Sequence, residues 1–145
     1  MKWEQLILAI DRARERCPHP KVVVVHFGGK DLAAMGRRHL LQDMRWDLME
    51  VAQMLRPTEI IWSELIPRFK WREANVHFAV EGSRRKMNFL MKKACNSMGW
   101  GFIRHSLINL KMLGYYEQDG VLLAGVGLDM FMSNISGSLE LAGCT

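Results

Sequence analysis

The stretch Lys21-Val22-Val23-Val24-Val25-His26-Phe27-Gly28-Gly29-Lys30-Asp31 decides how the rest of the chain is read. Four consecutive valines favour extended backbone, because branching at Cβ restricts the side chain and suits a pleated surface. An apolar run without polar alternation predicts a strand over 21–27 that is covered on both faces, as in parallel sheets. Pro20 and Gly28 bound it. In an open parallel sheet the ligand crevice lies beyond the carboxyl ends of the strands, so Gly28, Gly29, Lys30 and Asp31 form the first candidate site. Their spacing fits neither a P-loop nor a dinucleotide fingerprint, and no cofactor is expected.

Outward from this strand, helical and extended patterns alternate. Trp3, Leu6, Ile7, Ile10 and Cys17 fall at helical spacing, which predicts an amphipathic helix over 2–16 that stops near Pro18. Leu41, Met44, Leu48, Val51 and Leu55 predict a second helix over about 32–55, ended before Pro57. Glu59 to Ile66 reads as a second strand closed by Pro67, and Arg68 to Asn75 as a loop carrying Trp71. Val80, Met87, Leu90, Met91, Ala94 and Met98 line one face of a third helix, with Arg85, Lys86, Lys92 and Lys93 mostly on the other. Gly99-Trp100-Gly101 ends it, and Phe102-Ile103-Arg104 reads as a short third strand. Residues 107–118 read mostly as loop, and a final helix over 124–136 uses Leu128, Phe131 and Ile135. This alternation, with right-handed crossovers, predicts a three-layer α/β/α sandwich around a parallel sheet.

Composition narrows the function classes. The 145 residues fit one domain, 1–145, and a domain of this size buries roughly 70% of its unfolded surface. Hydrophobic residues at 49% and charged residues at 24% are those of an ordinary globular protein. Cys17, Cys95 and Cys144 have no metal-ligand spacing, and His19, His26, His39, His77 and His105 are scattered, so no metal site is expected. Reduced thiols and the lack of a signal-like or spanning apolar run lead to the expectation of a cytoplasmic protein that does not enter a membrane. Asn134-Ile135-Ser136 matches a glycosylation acceptor and reads as a chance match in that setting. The net charge of +5 permits weak attraction to nucleic acid but names no partner. The Arg84-Arg85-Lys86 and Lys92-Lys93 clusters read as a solvated helix face, since no aromatic platform for base stacking is evident from the sequence.

Two separated segments carry a resemblance. Gly28-Gly29-Lys30-Asp31 resembles the GxND block of the SGNH or GDSL hydrolases, and Asp119-Gly120-Val121-Leu122 resembles their DxxH block. Asp43-Met44-Arg45-Trp46, Ile61-Trp62-Ser63-Glu64 and Pro67-Arg68 between them resemble the SGNH domain of vertebrate retroelement-derived reading frames. The resemblance covers almost the whole chain. It implies a flavodoxin-like fold, an ester substrate, a serine nucleophile in an earlier block and a crevice formed by Gly28, Gly29, Lys30, Asp31, Asp119 and Gly120.

It also implies that the chemistry is lost. Such sites need a nucleophile, a base to activate it and preorganised donors for the oxyanion. Lys30 stands where the donor asparagine should, Leu122 stands where the histidine should, and only Asp31 and vestigial Asp119 keep the family's identities. No catalytic residue is expected to be competent, because loss of the serine or histidine of a comparable triad costs about a millionfold in turnover. The resemblance further implies a sheet lacking its first two strands. That would leave Val22 to Val25 as an exposed edge open to a second copy or a partner strand. Ser63 and Ser106 lie near strand ends without the nucleophile-elbow pattern. Two alternatives stay open: an esterase completed by another chain, and a basic module binding nucleic acid or protein.

Overall fold

The computed structural model describes residues 2–68, 77–109, 115–118 and 123–141. A 3-10 turn over Trp3–Gln5 runs into α1, Leu6–Arg16. The elements that follow are β1 (Val22–Val25), α2 (Asp31–Met35), α3 (Arg37–Met54), β2 (Glu59–Ser63), α4 (His77–Met98), β3 (Gly101–Ile103) and α5 (Gly125–Leu141). The three strands form one parallel sheet in the order β1-β2-β3. Val22 pairs with Glu59 and Val25 with Trp62, while Ile61 pairs with Gly101 and Ser63 with Ile103. The expected parallel α/β architecture is therefore present.

Successive strand residues point to opposite faces, and this sorts the helices into two layers. Val25, Ile60 and Trp62, joined by half-buried Val23 and Phe102, share one core with Trp3, Leu6 and Ile10 of the N-terminal helix. Leu40, Met44, Leu48 and Val51 of α3 and Met87, Met91 and Cys95 of α4 complete that core. The alternate residues Ile61, Ser63 and Ile103 turn toward the other side and are also buried there. α5 lies on that side, against β3. Trp3 ties the N-terminal turn into the structure twice: its amide donates to Asp31 Oδ2 at 2.8 Å, and its indole Nε1 donates to Asp47 Oδ2 at 2.6 Å.

Several expectations change. The first strand is Val22–Val25, shorter than 21–27, and it is not covered on both faces: Val22, Val23 and Val24 are only half-buried. Among the described residues β1 is an edge with β2 as its single neighbour in the sheet. The helix expected over 32–55 is split at Gly36, whose φ of +78° suits a residue without Cβ and separates α2 from α3. Leu40 rather than Leu41 lies fully inside the core, and Cys17 and Leu128, assigned to apolar faces, are exposed. Met98 is exposed as well, and Cys95 takes the deeper position on α4. β2 ends at Ser63: the Glu64 amide still donates to the Ile103 carbonyl at 3.0 Å, and from Leu65 the backbone is held by side chains instead. α5 extends to Leu141, beyond the expected end at 136. Trp71 and most of the 68–75 loop lie outside the described residues. No described helix is long and apolar enough to cross a membrane.

Candidate functional site

The strand-end crevice is built by the turn after β1. Gly28 has φ of +103°, a conformation rarely open to other L residues, and its carbonyl accepts the amides of Asp31 and Leu32 at 3.1 Å each. A side chain at Gly28 would also run into the Met44 terminal methyl. The turn thus leads at once into α2, with Lys30 at its mouth. Asp31, at 4% exposure, faces inward and holds the Trp3 amide. It was expected to line the crevice; it is instead a buried anchor of the N-terminal turn.

The opposite wall is the segment after β2, fixed by α4. Asn88 clamps Leu65 from both sides: its Oδ1 accepts the Leu65 amide and its Nδ2 donates to the Leu65 carbonyl, both at 2.9 Å. Arg84 donates to the same carbonyl at 2.9 Å and pairs with Glu81 at 2.9 Å. Glu81 also accepts the Arg68 amide, and the Tyr116 hydroxyl donates to the Pro67 carbonyl at 2.6 Å. Burial, with the Glu81 carboxylate nearby, pushes the Tyr116 hydroxyl up to about 12, so it stays a donor at neutral pH. Between the two walls lies an open cavity of about 190 Å³, lined by His26, Gly28, Gly29, Lys30 and Arg68 among others. The Arg68 guanidinium lies over Gly29, where an added Cβ would sit 2.7 Å from Nη2. The crevice is therefore glycine-floored and cationic.

Behind it the strand ends converge on one hydroxyl. His26 Nδ1 lies 3.0 Å from Ser63 Oγ, and Ser63 Oγ lies 2.7 Å from His105 Nε2. Asn134 of α5 reaches His105 Nδ1 at 3.1 Å through its amide nitrogen. With that assigned amide orientation, His105 carries its proton on Nε2 and donates to Ser63, and Ser63 passes its own proton toward His26. Phe131 of α5 stacks on His105, with ring centroids 4.5 Å apart, and meets His26 edge-on at 4.7 Å. Burial lowers both imidazoles to about 4. A hydrogen bond to the Ser63 backbone partly opposes this at His26, where the Arg68 charge adds to the lowering, and neighbouring His26 adds to it at His105. Both rings are neutral at pH 7, and Ser63 has no exposed surface.

Of the residues expected at the site, Gly28, Gly29 and Lys30 line the cavity, and Asp31 does not. Asp119, Gly120 and Leu122 lie outside the described residues. The residues flanking them meet: Tyr116 and Leu123 form an antiparallel bridge, and the Ala124 amide donates to the Tyr115 carbonyl at 2.7 Å. Ser106 is exposed and takes no part. The histidines are not all scattered, since two of the five converge on Ser63. The sequence signal for this was positional: Ser63 ends β2, His26 follows β1 by one residue and His105 follows β3 by two. Arg68, Glu81 and Asn88 were missed because each acts across elements without local periodicity. Among the described residues no group of histidine, cysteine, aspartate and glutamate side chains could hold a metal ion.

The architecture recurs in solved structures. A proposed acylhydrolase of Bacteroides fragilis matches over 98% of this chain and 71% of its own, with a TM-score of 0.73 and 16% identity. A GDSL-like lipase of Bacteroides thetaiotaomicron matches over 98% and 72%, with a TM-score of 0.71 and 18% identity. The fold is that of the SGNH/GDSL hydrolases. A third match is the esterase domain of the ORF1 protein of the zebrafish ZfL2-1 retrotransposon. It covers 80% of this chain and 66% of that one, with a TM-score of 0.63 and 22% identity. No family model and no curated protein matches the sequence. The SGNH/GDSL resemblance read from the two short blocks is thus met by the fold, at identities where fold alone is shared. In this SGNH-type fold the Gly28 turn and the Leu65 to Arg68 segment both lie at the carboxyl end of the sheet.

Proposed function

We propose that the protein is an SGNH/GDSL esterase-like domain that does not hydrolyse esters by itself. The observation that carries this reading is the state of Ser63. A hydroxyl between two neutral imidazoles is the start of a nucleophile and base pair, yet it has no exposed surface, and Phe131 of α5 packs on both rings. The open crevice beside it presents Lys30 and Arg68, donors suited to an anion and not to the task of a general base. The sequence supports the same reading, with Leu122 at the position where the DxxH block carries its base.

Treatment with a fluorophosphonate probe, together with short-chain p-nitrophenyl esters, tests it. The expected result is no labelling and no turnover above buffer. Labelling that disappears in Ser63→Ala, or turnover abolished by Asp119→Ala, would overturn the silent reading. One observation favours an esterase completed by another chain: among the described residues β1 pairs on one side only, in a sheet whose solved counterparts belong to longer chains. Turnover that arises only when a second polypeptide is added, and is lost with Asp119→Ala, would establish that alternative.

A further inference from the structure

The positive charge of this protein is concentrated in one place. From Gly82 to Tyr116 the sequence holds seven lysines and arginines and no aspartate or glutamate, whereas the whole chain nets +5. A helix face that is merely solvated interleaves acids with bases at i,i+4, since like charges at that spacing repel. The exposed face of α4 has no such acids. Its cations surround an aromatic ring: Phe89, 50% exposed, has Arg85 and Lys86 one turn before it and Lys92 and Lys93 one turn after it. The Lys86 and Lys93 ammonium groups sit 5.1 and 4.8 Å from the ring centroid.

This surface is concave. Arg85, Phe89 and Lys92 of α4 form one side of a groove of about 320 Å³, and Phe102 and Arg104 of β3 and its end contribute the other. Arg84 also borders the groove, but its guanidinium is engaged by Glu81 and the Leu65 carbonyl. Glu64 is the one carboxylate in the lining, and its Oε1 accepts the His105 amide at 2.7 Å. None of Arg85, Lys86, Lys92, Lys93 and Arg104 makes an ion pair among the described residues.

We propose that this groove binds single-stranded nucleic acid, with phosphates held by Arg85, Lys92 and Arg104 and a base stacked on Phe89. A charged backbone beside an aromatic platform is how sequence-tolerant single-strand sites are built, because every base offers a flat π face. Concavity separates this ligand from an anionic membrane surface. A ring that enters lipid must stand proud of its surroundings, whereas Phe89 is flanked by lysine stems and set into the side of a groove. The inference does not depend on whether the strand-end crevice is catalytic.

Fluorescence anisotropy with labelled single-stranded oligonucleotides of about 12 residues, DNA and RNA, tests it on the whole chain. Binding is expected at low salt, with the logarithm of affinity falling linearly with that of salt. Neutralising Arg85 and Lys92 together should reduce the slope by roughly 1.4, and Phe89→Ala should weaken binding about 5- to 100-fold while the thermal midpoint holds. Arg12→Ala with Arg16→Ala on α1 should leave the stacking contribution intact and serves as the control for diffuse charge. Absence of binding at low salt would overturn the proposal, as would Phe89→Ala binding no more weakly than the α1 variant. Binding to anionic vesicles without binding to the oligonucleotides would overturn it in favour of a lipid surface.

Discussion

Asn88 does more for the crevice than any residue that lines it. It satisfies both backbone groups of Leu65 from inside the fold, and the loop carrying Arg68 hangs from that clamp. Asn88→Ala would leave a buried amide unpaired, while the Leu65 carbonyl keeps Arg84. We expect a loss of about 1–3 kcal/mol in urea unfolding, with the fold otherwise retained. An unchanged midpoint would mean that water takes over the amide at no cost. This residue marks a limit of reading from sequence. Gly28 was legible, because a glycine pair after a β-branched run signals a turn that needs positive φ. Asn88 was not, because an asparagine inside a basic helix gives no sign that it turns inward to a loop 23 residues earlier.

At the scale of elements, the strands and helices were legible from periodicity, and their ends were set by contacts that periodicity does not encode. α5 shows the difference. Its apolar spacing gave Leu128 a core place that the fold denies, while Phe131 and Asn134 bind it to the strand ends through His105. That attachment carries a pH dependence. His26 and His105 titrate at about 4 in the folded state against an ordinary value near 6.5, so the unfolded chain binds more protons in between. Their contribution is fully present above pH 6.5, declines as pH falls and is lost below 4, amounting to at most about 3 kcal/mol for each ring. Urea midpoints from pH 7 to pH 4 should fall, and the fall should be shallower in His105→Gln. Equal slopes in the two proteins would exclude the imidazoles as its source.

For the molecule as a whole, the sheet has two edge strands among the described residues, β1 and β3, and β1 is the longer. β1 is short and apolar, and its residues Val22, Val23 and Val24 are half-buried beside exposed Lys21. An open edge of this kind invites another strand. Sedimentation velocity should show concentration-dependent association of this chain, reduced by Val24→Pro, which removes an amide that the ladder with β2 leaves pointing outward. A monomer across the full concentration range would show that the edge is closed by other means. The parallel order was legible because helices alternate with strands, whereas the four valines, read as covered on both faces, do not themselves show which sides of the strand pair; it was the family resemblance that implied an edge there.

The register of the sheet also orders events during synthesis. Val22 and its partner Glu59 are separated by roughly forty residues, as are Ile61 and its partner Gly101. At bacterial to eukaryotic elongation rates of about 5–20 residues per second, the valine strand leaves the ribosome some seconds before β2 can reach it. β2 is needed by both neighbours, so its arrival ends that wait and its loss would strand two elements at once. A chaperone acting on the nascent chain has its clearest target in that interval, at Val22 to Val25.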